Sequence, residues 1–242
     1  MPVAHFYNRS LYPHLQIPVP ADLIALGDWI GARAKNTNEA YARFHLDHCE
    51  NIARRSASIA YYELAIAHEL ADENFFRAAE VLSTLMTGYF GAVKSFLDAI
   101  AVCMDSTLGL KLKPLNLDLC RPPFFAQLAA KDPAAAARYS VYQAFYDEVK
   151  DWRNASQHQV APLVMVAGTT EARLGLHTGE TSRKDIDILL VNQPGRRPSS
   201  IGKSPETIKW VQPNAFFPRW RGFLDALLTD VCKDIISLCP PA

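Results

Sequence analysis

Apolar side chains recur at steps of three and four along most of this chain, the spacing that lines one face of an α-helix. A first stripe runs through Tyr41, Phe44, His48, Ile52, Ser56, Ile59, Tyr62, Ile66 and Leu70, and predicts one long helix, or two in near register, over 37–71. Asn36 precedes it and Glu39 follows three residues later, a pair able to cap the first-turn amides reciprocally. The second stripe is the strongest: Phe75, Ala79, Leu82, Met86, Tyr89, Val93, Phe96, Ile100 and Cys103, widened by Phe90 and Leu97, predict a helix over 72–104. Gly88 and Gly91 inside it cost roughly 1 kcal/mol each against alanine, so they mark a close helix approach or a bend. A third helix opens at Asp132-Pro133, with aspartate as cap and proline in the first turn. Tyr142, Phe145, Tyr146, Val149 and Trp152 line it, and Pro162 implies an end near 157–160.

Shorter features join these helices. Four prolines and no periodicity in residues 1–20 predict an extended arm. A short helix is expected over 21–34, with Ile24, Trp29 and Ile30 on its apolar side. Residues 105–132 read as a connection holding a turn of helix at 124–130. After Pro162 the period changes to two. Residues 163–166, 172–176 and 186–190 alternate between turn formers, as in a three-stranded antiparallel meander. A loop follows over 193–217, and a closing helix over 218–238 buries Trp220, Phe223, Leu227, Val231, Ile235 and Leu238.

The fold class expected is therefore mainly all-α. It is a four-helix up-and-down bundle with an inserted β meander and an N-terminal arm. The closing helix needs the other three to bury its stripe, so residues 1–242 read as one domain.

Composition narrows the class. Apolar residues are 49% and charged residues 21% of the chain, which excludes wholesale disorder. Formal net charge is zero, so any nucleic acid must be drawn by a local patch. Five cysteines without CxxC pairing argue for reduced thiols rather than a disulfide framework. The N-terminus lacks the apolar core of a signal peptide, and polar residues break each apolar run before eighteen positions. A cytoplasmic protein without a membrane span is expected.

The candidate chemistry lies at the end of the third helix, in Asp151-Trp152-Arg153-Asn154-Ala155-Ser156-Gln157-His158. Arginine is a permanent cation whose fork binds phosphate at two points. Histidine titrates near neutrality and can act as a base. Asn154 and His158 are one helical turn apart on a common face, and all three residues border one surface if the helix loosens near its end.

On these residues the chain resembles the HEPN superfamily, whose signature is an arginine, a following polar residue and a histidine a few positions beyond. Arg153, Asn154 and His158 match that order and its place late in the third helix. Ser95-Phe96-Leu97-Asp98-Ala99-Ile100-Ala101 is also similar to HEPN sequences. The resemblance covers residues 37–160 and the closing helix. It implies a metal-independent endoribonuclease with Arg153, Asn154 and His158 as catalytic residues and no cofactor. It also implies a homodimer in which two motifs meet, RNA as the substrate, a toxin or defence role, and a cognate antitoxin as a partner. Some HEPN proteins bind RNA, nucleotides or proteins without cleaving, and that alternative stays open. So does a plain reading, in which His158 complements a helix dipole and Arg153 pairs with Asp147 or Asp151.

Other features carry less. His45 and His48 share a helix face, with Asp47 and Glu50 near, but no ExxH companion pair appears, so a metal-binding bundle is a distant reading. Cys49 beside His48 points about 100° away from it on a helix. Arg196, Arg197, Lys203, Arg219, Arg221, Lys111, Lys113 and Arg121 could meet phosphates or simply be solvated. Gly202-Lys203-Ser204 lacks the earlier glycine of a P-loop, and no GxSxG is present.

Overall fold

A computed structural model of the protein describes residues 19–34, 39–71, 75–158, 162–167, 187–192 and 209–238. The arm expected before residue 19, the Asn36 cap, the strand expected at 172–176 and the basic loop 195–203 lie outside the described residues.

The protein is mostly helical. The helices are α1 (Ala21–Ala34), α2 (Glu39–Ala71), α3 (Phe75–Leu108), α4 (Pro122–Lys131), α5 (Pro133–Ser140), α6 (Gln143–His158) and α7 (Pro213–Leu238). Three short strands, β1 (Leu163–Ala167), β2 (Asp187–Asn192) and β3 (Lys209–Val211), form an antiparallel sheet in the order β1-β2-β3. Leu163 faces Val191 in the first pair, and Leu190 faces Val211 in the second. The third strand thus falls where a loop was expected over 193–217.

The chain divides into two compact units. The first holds Met1–Tyr61, Ala92–Val149 and Gly222–Ala242. Its core includes Val93, Phe96, Ile100, Phe124, Tyr146, Leu227 and Val231, all buried. Among the described side chains of α1, Leu23, Leu26 and Ile30 are buried, with Gly27 beside them, while Ile24 and Trp29 are only half-buried. Ile30 is thus inward as expected, while Leu23 and Leu26 take the inward places expected of Ile24 and Trp29.

Local chemistry sets the ends of the elements in this unit. Gly109 takes φ +62° just past α3, and the Leu110 N–H returns to the Asp105 carbonyl at 3.1 Å. Such a left-handed cap costs glycine little and satisfies an orphan carbonyl. The Asp132 carboxylate accepts from the Ala135 N–H at 2.9 Å, as expected of an aspartate cap before Pro133.

The helix expected from 132 to 160 is broken at Val141-Tyr142. There the Tyr142 N–H reaches the Tyr139 carbonyl at 3.1 Å, a tighter three-residue step. Two long-range bonds hold the break. Tyr142 donates its hydroxyl to Asp230 Oδ2 at 2.6 Å, and Tyr139 donates to Asp234 Oδ2 at 2.8 Å. Asp230 and Asp234 are one turn apart on α7, so both carboxylates share a face.

The second unit holds Tyr62–Gly91 and Lys150–Arg221. Its core is aromatic. Trp152 stacks on Phe90 with ring centroids 5.1 Å apart, and Phe216 packs against Trp220 at 4.6 Å. Glu63 accepts from Arg221 Nη2 at 2.5 Å and from the Tyr89 hydroxyl at 3.5 Å. A Cβ placed on Gly88 would stand 2.5 Å from the Tyr62 ring, so Gly88 marks a close approach of α2 and α3 rather than a bend.

Helix α7 starts five residues earlier than expected. Pro213 opens it, and the Gln212 carbonyl accepts from the Phe216 N–H at 2.9 Å. Pro218 then lies inside the helix. The carbonyl it leaves unpaired belongs to Asn214, and both residues are exposed, so water can serve that oxygen.

Within α3, Val81–Leu108 is by length and composition alone long and apolar enough to cross a membrane, although polar residues interrupt its apolar runs. Half of its most apolar window is buried inside the protein.

Candidate functional site

The candidate motif, 151–158, occupies roughly the last two turns of α6. Trp152 and Ala155 are buried and fix the inward side of that segment. Arg153 and Asn154 are half-buried beside them. His158 is the last residue of α6, and its imidazole lies outside the described residues.

The helix does not loosen before its end, as one shared surface had required. It stays α-helical through His158. At about 100° per residue, Arg153 and His158 leave the axis roughly 140° apart, whereas Asn154 and His158 are only about 40° apart. The Arg153 side chain closes part of that gap. Its Nη1 donates to Asn154 Oδ1 at 3.2 Å, which draws the guanidinium towards the Asn154 face. Asn154 thus holds the arginine. One turn of the backbone is braced as well, because Ser156 Oγ donates to the Arg153 carbonyl at 3.0 Å.

Two contacts from α3 bear on the same segment. A Cβ on Gly91 would lie 3.1 Å from Gln157 Nε2, so the Gln157 amide rests over the glycine. Ser83 Oγ donates to the Pro162 carbonyl at 2.7 Å, just after the motif. Gly91 stands out in the sequence as a position of close approach or a bend, whereas nothing local marks Ser83.

The remaining candidates separate. His48 is half-buried on α2 and Cys49 is fully buried, while the His45 side chain lies outside the described residues. Among the described residues no group of three His, Cys, Asp or Glu side chains could hold a metal ion. Of the basic residues, Arg221 binds Glu63, and Arg121 lies 3.3 Å from Asp118. The Arg219 guanidinium sits 5.7 Å from the centre of the Phe216 ring. Lys111 and Lys113 are exposed.

Burial governs the thiols. It pushes Cys103, Cys120 and Cys232 up to about 12, so each is a neutral thiol at physiological pH and a poor nucleophile.

No protein-family model matches this chain, and neither a curated protein nor a solved structure matches it.

Proposed function

We propose that this chain is a metal-independent endoribonuclease of HEPN type. In this reading α2, α3, α6 and α7 form an up-and-down bundle with the β segment inserted between the last two. Arg153 grips the scissile phosphate and offsets charge as it builds. The His158 imidazole takes the proton of the ribose 2′-hydroxyl. The 2′-oxygen bonds to phosphorus, the bond from phosphorus to the 5′-oxygen breaks, and that oxygen leaves with a proton from water. The products are a 2′,3′-cyclic phosphate and a 5′-hydroxyl. A homodimer brings two motifs together, and a toxin or defence role in the cytoplasm, restrained by a cognate antitoxin, follows from such an activity.

The observation that carries the reading is the bond from Arg153 to Asn154. It brings a permanent cation towards the helix face that Asn154 shares with His158, which helix geometry alone would not do.

Incubating the full chain with single-stranded RNA in EDTA tests it. Cleavage is expected, falling by about 10²–10⁴ in His158→Ala, the usual scale for losing a general base. A comparable loss is expected in Arg153→Ala, which removes the phosphate grip. RNA left intact by the wild-type protein overturns the enzymatic reading, and retained RNA binding would then mark a non-catalytic module.

A further inference from the structure

The motif sits on an amphipathic helix end, and something must hold that end still if two groups are to act on one phosphate. Displacement of a reacting group by about 1 Å can cost on the order of a hundredfold in rate. Trp152 anchors the inward side of that helix end against Phe90 of α3 and Phe216 of α7, and two further described contacts come from α3.

Gly91 and Ser83 are eight residues apart, a little over two turns of α3, and leave its axis roughly 80° apart. Gly91 faces Gln157, which is one turn beyond Arg153 on the same side of α6. Without a Cβ, Gly91 leaves room for the Gln157 amide to lie close. Ser83 takes hold of the chain after the helix, through the carbonyl of buried Pro162. The Thr87 hydroxyl, one turn from each, is occupied within α3 by the Ser83 carbonyl at 3.0 Å. The Trp152–Phe90 stack supplies the apolar floor under the same turn. Helix α3 thus meets the motif at its last turn and just past it.

We infer that Ser83 and Gly91 are positioning residues for the Arg153–His158 motif, a role that rests on the ribonuclease reading for its consequence. Neither touches the substrate. Each sets where the end of α6 stands.

Steady-state RNA cleavage by Ser83→Ala and Gly91→Ala, beside the Arg153 side-chain N–H resonance in 15N-labelled protein, tests the inference. Both variants should lower kcat by roughly tenfold with little change in KM, and both should shift the Arg153 signal. Ser83→Thr keeps the hydroxyl and should restore the rate. Gln157→Ala removes the group that a Cβ at position 91 meets, so it should restore Gly91→Ala. Wild-type rates and an unmoved resonance in both variants overturn the positioning role while leaving the ribonuclease standing. If the wild type cleaves nothing, the ribonuclease reading fails, and the resonance alone decides: a shift with rescue upholds the seat, and none overturns it.

Discussion

Tyr139 and Tyr142 show how single hydroxyls tie a helix break to a distant helix. Burial first, and then the bonds to Asp234 and Asp230, hold both phenols well above the usual tyrosine range, so they stay protonated as donors. A hydrogen bond to a charged acceptor contributes about 1.5–3 kcal/mol. Tyr139→Phe should lower unfolding stability in urea by that amount, and a loss under 0.5 kcal/mol would remove the bond from the account. Gly88 makes a different residue-scale case. Alanine there gains helix propensity of roughly 1 kcal/mol but meets the Tyr62 ring. Gly88→Ala should therefore stabilise a Tyr62→Ala background by about that propensity gain and fail to stabilise the wild type. Equal effects in the two backgrounds would mean that the pair is not coupled. The buried thiols add a pH dependence. Their folded pKa values, about 12, exceed the unfolded ones, so the unfolded chain ionises first as pH rises. Their contribution is complete below the ordinary thiol range and is lost between there and about pH 12. Serine at Cys103 and Cys232 should flatten that fall in a pH series of urea midpoints.

At the scale of elements, the connection between α3 and α4 is held by charge. Lys94 of α3 bonds to Asp98 and lies 3.2 Å from Asp118, whose carboxylate also takes the Cys120 N–H at 2.8 Å. Burial pushes the Asp118 carboxyl up, but the Cys120 N–H, Lys94 and Arg121 together outweigh it and leave the pKa lowered. A carboxylate with a depressed folded pKa stabilises the fold above its unfolded value, near 3.9, and loses that contribution as pH falls through the folded one. Asp118→Asn should weaken the wild type near neutrality and reduce its loss of stability below about pH 4. An unchanged acid limb would show the network to be inert. The same elements show what the sequence could and could not carry. The stripes on α3 and α6 were legible because periodicity is local: Leu82, Met86, Tyr89, Val93, Phe145, Val149 and Trp152 are all buried as their spacing implied. The Asp132 cap was legible for the same reason. The break at Val141 was not, because its hold comes from Asp230 and Asp234, nearly ninety residues or more away. Strand β3 was missed because three residues are too few to show a period, and Pro213 because Pro218 offered the same start signal closer to the apolar stripe.

For the whole molecule, a mainly helical fold followed from the hydrophobic pattern, while the function did not follow from the fold. A helical scaffold can host many chemistries, so the proposed activity rests on Arg153, Asn154 and His158. Their order was visible in the sequence. That Arg153 bends towards Asn154 was not, since rotamers depend on surroundings that no local spacing encodes. The central claim is attack by the 2′-hydroxyl, and it is tested most directly by an RNA carrying a single 2′-deoxy sugar at the position the protein cuts. The account predicts a block confined to that position, with a 2′,3′-cyclic phosphate and a 5′-hydroxyl on the products of the unmodified RNA. Cleavage at the deoxy position, or products ending in a 5′-phosphate, would contradict it.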